Sequence, residues 1–150
     1  MAHELLIITK TFDELTTLEL HNLLQLRSEV FVVEQECVYQ DIDGKDFKSL
    51  HIIGKKEGKI VAYTRCFQPG HYFEEASIGR VVVDKEERKY GYGHDIMKAS
   101  LQAIKNRFKT EKIKLSAQTY LIKFYESHGF KQTGEGYLED GIPHIAMITV

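Results

Sequence analysis

An arginine and two glycines stand at a spacing that can bind an anion. The run 78–83 is apolar and β-branched, a charged turn follows, and Arg88-x-x-Gly91-x-Gly93 then opens an amphipathic segment that begins near Tyr92 and reaches Phe108. Glycines let a backbone approach a ligand closely, and the first N–H groups of a helix have no partner inside it. Because these N–H groups and the positive helix end favour phosphate oxygens, the pattern predicts a phosphate-binding turn between a strand and a helix.

Two familiar phosphate loops do not fit this spacing. A P-loop requires Lys and Ser or Thr directly after its last glycine, whereas His94 and Asp95 follow here. The dinucleotide-binding fingerprint requires a third glycine where this chain has Ile96, and it is expected near the first strand rather than past mid-chain. A helix start whose two glycines serve packing is the alternative that these six residues alone leave open.

Arg-x-x-Gly-x-Gly after an apolar strand resembles the acyl-CoA pyrophosphate loop of the GNAT superfamily of N-acetyltransferases. Phe124-Tyr125-x-x-x-Gly129-Phe130, at the end of a short predicted helix, is similar to a second hallmark of that superfamily. Residues 26–35, 39–44 and 137–147 resemble its ElaA-like branch. The similar segments run from about residue 4 to the C-terminus in the order expected of that branch.

The resemblance implies that the strand and the loop bind acyl-CoA. In this superfamily the strand holds the pantetheine arm and the thioester carbonyl oxygen through backbone groups, which assigns that role to Val81, Val82 and Val83. The diphosphate would be held, mostly through backbone N–H groups, by Arg88, Lys89, Tyr90, Gly91, Tyr92 and Gly93. Valine side chains are also typical of a core strand, and Arg88 is also typical of an exposed ion pair.

Tyr125 is the candidate general acid, again by resemblance. Its position in the second hallmark matches a tyrosine that lies near the cofactor sulfur in many members. A phenol with a pKa near 10 is neutral at pH 7 and can protonate a departing thiolate. The alternative is a helix tyrosine with its ring in the core and its hydroxyl at the surface.

The sequence identifies a candidate general base less clearly than a candidate general acid. Histone-acetylating members carry a glutamate in the cofactor strand at the position that Ser77 occupies here. Serine cannot serve as that base, and Glu75 lies two residues earlier on the same side of an extended strand. A bound water, or a group from elsewhere in the chain, is therefore also a candidate.

Two side chains are predicted to take part in catalysis besides Tyr125. They are Glu34 at the end of the first long helix and His144 near the C-terminus, since a carboxylate or an imidazole can accept a proton near neutral pH. A lone histidine is also often structural. Further candidates to surround the acceptor, with the two aspartates expected to hold its amine, are His51, Arg80, Asp41 and Asp43.

The acidic segment 41–46 invites a calcium-binding interpretation, which its spacing does not support. An EF-hand loop needs oxygen ligands at positions 1, 3 and 5, glycine at 6 and glutamate at 12. Here glycine stands fourth, Lys45 fifth and Ile52 twelfth. The histidines form no His-x-x-x-His pair either, so we predict no metal site.

Composition narrows the class of protein. A chain of 150 residues with 43% hydrophobic content predicts a single globular domain over 1–150. A net charge of −2, from 20 basic and 22 acidic residues, gives no nucleic-acid footprint, and no apolar run approaches the ~18 residues of a membrane span. Cys37 and Cys66, far apart and without a signal peptide, predict free thiols and a cytoplasmic protein.

Strands and helices alternate along the chain. Thr16-x-x-Glu19 predicts a capped helix start, and Glu57-Gly58 predicts a hairpin turn. The predicted strands are 5–8, 50–56, 59–67, 78–83, 113–118, 132–138 and 142–150, and the predicted helices are 16–34, 92–108 and 120–128. We expect an α/β fold of the GNAT type, with a central mixed, mostly antiparallel sheet flanked by helices on both faces. The resemblance adds that the sheet splays beside the cofactor strand.

The sequence thus predicts an acetyl-CoA-dependent N-acetyltransferase that needs no metal and acetylates an amine directly, on a small molecule or a lysine side chain. Neither cysteine matches a nucleophile, and the acidic residues of segment 40–48 favour a cationic acceptor. Ser77 favours the alternative, an acyl-CoA-binding regulatory module without turnover, and a protein-interaction domain is a third possibility. Monomer and homodimer both stay open, because strand 142–150 could pair across a subunit edge or lie in the core.

Overall fold

A computed structural model describes residues 4–150, and one seven-stranded sheet runs through this part of the chain. The strands are β1 (Leu6–Thr11), β2 (Leu50–Lys56), β3 (Lys59–Phe67), β4 (Ala76–Val83), β5 (Ile113–Gln118), β6 (Phe130–Glu139) and β7 (Ile142–Thr149). Their spatial order is β1-β2-β3-β4-β5-β7-β6, and every neighbouring pair is antiparallel except β4 and β5. The predicted mixed, mostly antiparallel sheet is confirmed.

The helices are α1 (Thr17–Arg27), α2 (Tyr92–Phe108) and α3 (Ile122–Glu126). Helix α1 begins at the predicted capping box: the Glu19 N–H donates to Thr16 Oγ1 at 3.0 Å, and the Thr16 N–H donates to Glu19 Oε1 at 2.9 Å. No helix between residues 4 and 150 is long and apolar enough to cross a membrane.

The sheet separates two apolar clusters. Consecutive residues of a strand point to opposite faces, so Ile52 packs in the larger cluster with α2 and Ile53 in the smaller one with α1. Ile96 and Met97 of α2 and Leu23 of α1 are fully buried against these two faces. The helices therefore cover both faces of the sheet, as predicted.

Helix α1 is followed by a π-helical segment, Ser28–Glu34, rather than by further α-helix. The Gln35 N–H donates to the Val30 carbonyl at 3.2 Å and the Cys37 N–H to that of Val32 at 3.1 Å, each five residues back. The sequence predicted one continuous helix, because the apolar spacing does not distinguish these widened turns from α-helix. Such segments are rare and are often found at functional sites.

A cleft opens between β4 and β5, as the resemblance implied. The two strands pair only at Ala76–Ile113 and Ser77–Lys114. Beyond these pairs they diverge and leave a cavity of about 500 Å³. The edge of β4 that faces this cavity has no strand partner past Ser77.

Strand β7 lies inside the sheet, between β5 and β6. A strand with neighbours on both sides presents no free backbone groups to another chain. Pairing across a subunit edge through residues 142–149, which the sequence left open, is therefore not available. The sheet ends at β1 and at β6.

Candidate active site

The cleft brings together most of the residues that the sequence predicts for the site. The predicted residues in its lining are Glu34, Arg80, Val81, Val82, Val83, Arg88, Gly91, Gly93, Tyr125 and His144. The side chains of Lys89, Tyr90, Tyr92 and His51 do not line it. Tyr92 is buried in the core, and Tyr90 packs against the Lys56 ammonium, 4.4 Å from the ring centroid.

Strand β4 bends where it begins to line the cleft. Tyr63 of β3 lies opposite Val82 and Arg65 lies opposite Gly79, so an extra residue of β4 forms a bulge between them. Arg80 in this bulge has φ +50°, a left-handed backbone that is unusual for a residue other than glycine. The bulge turns the following valines along the open edge of the strand.

The glycine turn leaves room for a ligand. Gly91 has φ +74° and directly precedes α2, and a Cβ built there would meet no protein atom within 4 Å. At Gly93 a Cβ would lie 3.4 Å from Phe124 Cε1. The first N–H groups of α2 lack partners within the helix and favour an anion. An open left-handed turn before an α-helix, at the mouth of a cleft, fits the diphosphate of an acyl-CoA.

Arg88 and Glu34 form a two-pronged ion pair at the same mouth. The two terminal guanidinium nitrogens of Arg88 donate to the Glu34 oxygens at 2.7 and 2.8 Å, and Arg88 Nε donates to the Val83 carbonyl at 3.1 Å. The hydrogen bonds to Glu34 raise the pKa of Arg88. Both oxygens of Glu34 are therefore engaged, and the pair ties the π-helical segment to the loop.

Tyr125 lies deep in the cleft, 5% exposed, with Phe124 and Phe130 packed edge-on at 5.1 and 6.2 Å between ring centroids. Burial raises the pKa of this phenol further above its ordinary value, with a smaller contribution from Tyr120. The hydroxyl stays protonated at any physiological pH. It is suited to donate a proton and unsuited to accept one.

His144 enters the cleft from β7 and is 6% exposed. Its Nδ1 lies 2.7 Å from the Ile142 carbonyl, which can only accept, so Nδ1 carries the hydrogen. A neutral ring then presents a lone pair on Nε2, which is 3.5 Å from Glu139 Oε2, longer than a good hydrogen bond. Tyr137 stacks on the ring at 6.1 Å. This arrangement suits a general base.

The front loop, residues 40–48, is tied down by an arginine–aspartate network. Its members are Arg27, Arg65, Arg80, Asp41, Asp43 and Asp46. Arg27, with no exposed surface, donates to Asp41 at 2.9 Å and to Asp46 at 2.7 Å. Arg65 donates to Asp43 at 2.6 and 2.8 Å, and Arg80 Nε lies 2.7 Å from Asp41 Oδ1.

These ion pairs contradict the prediction that Asp41 and Asp43 hold the acceptor amine. Although burial acts in the other direction, the neighbouring guanidinium groups hold the pKa values of Asp43 and Asp46 below their ordinary range. Three arginines balance three aspartates, so the network offers no net charge to a substrate. The pairs engage the carboxylates of segment 41–46, and no group of three or more His, Cys, Asp or Glu side chains that could hold a metal ion is found among residues 4–150.

His51 is also placed away from the acceptor. It is fully buried, with Nδ1 2.6 Å from the Tyr63 hydroxyl and Nε2 3.0 Å from the Asp46 carbonyl. Burial lowers its pKa, so the ring is neutral and structural. The prediction that it surrounds the acceptor is wrong, because β2 turns it into the layer beneath the front loop.

The sequence could not mark every side chain of the cleft. Ser77 lies buried at its base, whereas Glu75 is outside its lining. Glu139, which sequence reasoning did not single out, lies at the rim next to His144. The Asp140-Gly141 pair was the available signal, because it predicts a tight hairpin turn directly after Glu139.

Neither thiol is arranged as a nucleophile. Cys66 is fully buried, and burial raises its pKa to about 12, so it is a neutral core side chain. The Cys37 thiol lines the cleft and donates to the Asp140 carbonyl at 3.4 Å. Both cysteines are free, in agreement with their sequence spacing.

Comparison with known proteins identifies the family to which the chain belongs. The acetyltransferase (GNAT) domain matches residues 14–150. Protein ElaA of Escherichia coli K12 is 43% identical over 137 residues, which are 90% of each chain. The crystal structure of Escherichia coli ElaA superimposes with a TM-score of 0.91 at 39% identity and covers 98% of this chain and 100% of ElaA. An acyl-CoA N-acyltransferase from Pseudomonas aeruginosa gives a TM-score of 0.90 at 41% identity, over 96% and 99% of the two chains.

Proposed function

Because the chain belongs to the GNAT acetyltransferase family and to its ElaA-like branch, we propose that it moves an acetyl group from acetyl-CoA to a primary amine. Family membership makes the chain an acyl-CoA-dependent acyltransferase. The proposal adds the acetyl group, the amine and the roles of single residues.

The observation that carries this proposal is the open edge of β4 beside the glycine turn. Past Ser77 the backbone groups of β4 that face β5 have no strand partner. They can bind the amide groups of a pantetheine arm as an added strand would. The arm would run along Val81, Val82 and Val83 to the turn at Gly91, where helix N–H groups and Arg88 meet the diphosphate.

Acetyl-CoA supplies the acetyl group as a thioester, whose C–S bond breaks as the new C–N bond forms. His144 Nε2 takes a proton from the amine nitrogen, whose lone pair is then free to attack. A backbone N–H of β4 polarises the thioester carbonyl oxygen. The Tyr125 hydroxyl gives its proton to the departing sulfur. The second proton that the nitrogen loses as it becomes an amide restores the phenol through solvent, and His144 releases its own proton to solvent after the product leaves.

Glu34 serves this scheme through Arg88 rather than as a base. A carboxylate with both oxygens bound to one guanidinium is less able to take a proton from an amine. We assign Glu34 the positioning of Arg88 at the diphosphate end of the cleft, and His144 the role of the base.

A calorimetric titration of acetyl-CoA into the full chain tests the binding half of the proposal. The native chain should bind, and Gly91→Asp should weaken binding at least about a hundredfold, since like charges brought together cost several kcal/mol. Aspartate tolerates a left-handed backbone and suits a helix N-terminus, so the fold should be kept.

Gly58→Asp is the matched control. Gly58 has φ +82°, close to that of Gly91, and the same open surroundings, but it lies in the turn between β2 and β3. Equal losses in both variants, or no binding by the native chain, would contradict the proposal. Binding without release of the thiol in the presence of amines would favour the regulatory module.

A further inference from the structure

We infer that the acceptor reaches the site as a protonated alkylamine and that Glu139 binds its ammonium group next to His144. This inference rests on the proposed function and names the acceptor's chemical class. We call Glu139, Asp140 and His144 the acceptor corner. It lies where β6 turns into β7, across the cleft from β4.

The charges around the cleft leave two carboxylates unbalanced. Four guanidinium groups (Arg27, Arg65, Arg80 and Arg88) pair with four carboxylates (Asp41, Asp43, Asp46 and Glu34). Glu139 and Asp140 also line the cleft, and no lysine or arginine between residues 4 and 150 pairs with either of them. The cleft therefore carries a net negative charge at this corner alone, which attracts a cation and repels an anion.

His144 supplies an independent observation that the corner is built for a ligand. The side chain lines the cleft and is only 8% exposed, yet Nε2 makes no hydrogen bond to the described residues and has Glu139 Oε2 at 3.5 Å. Nε2 is therefore available to a hydrogen-bond donor that enters the cleft. An ammonium group bound by Glu139 would donate a hydrogen bond to this lone pair.

The hairpin and the neighbouring strand β5 set the position of Glu139. Ser116 Oγ on β5 lies 3.4 Å from its Oε1, and Ser116 is itself hydrogen-bonded to the Tyr137 hydroxyl. Burial, and then the charge of Glu139, raise the pKa of Tyr72 on the opposite wall. The turn at Asp140 has φ +51° and Gly141 has φ +78°, a tight hairpin that fixes where Glu139 ends its strand.

Nearby ammonium groups do not cancel this charge. Lys45 and Lys114 lie over the rings of Tyr72 and Phe73 at 5.6 and 5.1 Å, and neither lysine lines the cleft. The sequence predicted that carboxylates of the front loop would bind the amine. In the structure the carboxylates without a cationic partner lie instead at the opposite rim of the cleft. In the reaction one ammonium proton passes to His144 Nε2, and Glu139 then faces the imidazolium that forms.

The test compares two amines of equal length in a thiol-release assay: pentylamine, which is a cation, and 5-aminopentanoate, which adds a carboxylate. The native chain should use pentylamine with a KM at least about tenfold lower. Glu139→Gln should raise that KM about tenfold to a hundredfold, because it removes a charge-assisted hydrogen bond, and should narrow the gap between the two amines. The turnover number should change less than the KM.

Glu135→Gln is the matched control, since it removes the same charge from an exposed position of β6 outside the cleft. It should leave both KM values as they are. A Glu139→Gln variant with an unchanged KM, or a native chain that prefers 5-aminopentanoate, would overturn the inference. Titration of acetyl-CoA into the same preparations separates the two proposals. A native chain that binds acetyl-CoA but does not distinguish the two amines overturns only this inference, and a native chain that does not bind acetyl-CoA overturns the proposed function.

Discussion

Two groups of charged side chains border the same cleft, and they differ in what their charges are free to do. In the arginine–aspartate network every carboxylate is bound by a guanidinium, and Arg27 and Arg65 are almost fully buried. In the acceptor corner a buried imidazole keeps a free nitrogen, and Glu139 has no cationic partner among the described residues.

A carboxylate is available to bind a cationic acceptor only where the fold leaves it without a guanidinium partner. Removing one member of a buried ion pair leaves the other uncompensated and costs stability. Removing a group that faces a substrate leaves the fold intact and costs turnover. The two regions should therefore respond to mutation in opposite ways.

The largest effect should come from His144→Gln in the acceptor corner. Loss of the general base should lower kcat by about 10²–10⁴-fold, while the thermal unfolding midpoint changes little. A thiol-release assay at saturating acetyl-CoA measures kcat, and calorimetry measures the unfolding midpoint. A variant that unfolds readily but keeps its turnover would place His144 among the structural groups.

Tyr125→Phe should lower kcat by a similar factor, about 10²–10⁴-fold, because the leaving thiolate loses its proton donor. The affinity for acetyl-CoA should stay close to that of the native chain, since the ring and its packing remain. Parallel calorimetric titration and thiol release measure the two quantities. Unchanged turnover would remove Tyr125 from the mechanism.

Asp46→Asn should have the opposite profile. Arg27 and Arg65 each lose a carboxylate partner, so the free energy of unfolding should fall by about 3–5 kcal/mol, as for other broken buried pairs. The rate per folded molecule should be nearly unchanged. Urea unfolding measures the loss, and Asp13→Asn, at an exposed position, should shift stability by less than about 0.5 kcal/mol.

Acid should destabilise the fold through a third set of ion pairs, those of Glu19 with Lys10 and Lys55. Burial opposes ionisation of Glu19, but Lys10, the Thr16 N–H and Lys55 lower its pKa from 4.5 to about 2. A lowered pKa in the folded state stabilises the chain above pH 4.5, and this contribution is lost as the pH falls from 4.5 towards 2. Unfolding midpoints at pH 7, 4 and 3 should fall less steeply in Glu19→Gln. An identical slope in both chains would contradict this origin.

The smallest effect on turnover should come from Glu34→Gln. If Glu34 only positions Arg88, kcat should stay within about threefold and the change should appear in the KM for acetyl-CoA. Steady-state kinetics with varied acetyl-CoA separate the two constants. A loss of kcat as large as that in His144→Gln would make Glu34 the base and reverse our assignment.

Local sequence patterns predicted the elements of the fold that depend on residues close together in the sequence. Strands 50–56 and 59–67 follow from alternation and from the Glu57-Gly58 turn, and both agree with the structure to the residue. Helix α2 and its glycine start follow from the same kind of signal. Strand β1 reaches Thr11 rather than residue 8, because pairing with β2 extends it.

The sequence could not show which charges find partners. Tertiary packing brings Asp41 to Arg27 and Asp43 to Arg65, and the spacing of these residues in the sequence does not predict the pairs. Glu139 reaches His144 through the β6–β7 hairpin and faces the cleft only because β7 lies next to β5. Such pairs depend on tertiary structure, which determines which acidic residues have no cationic partner.

A product assay shows whether the native chain acetylates an amine in the cleft between β4 and β5. The native chain is incubated with acetyl-CoA and pentylamine, and free thiol and N-acetylpentylamine are quantified together, with Gly91→Asp alongside. We predict equal amounts of the two products from the native chain and almost none from the variant. Thiol release without acetylated amine, or equal activity in the variant, would contradict amine acetylation in the cleft between β4 and β5.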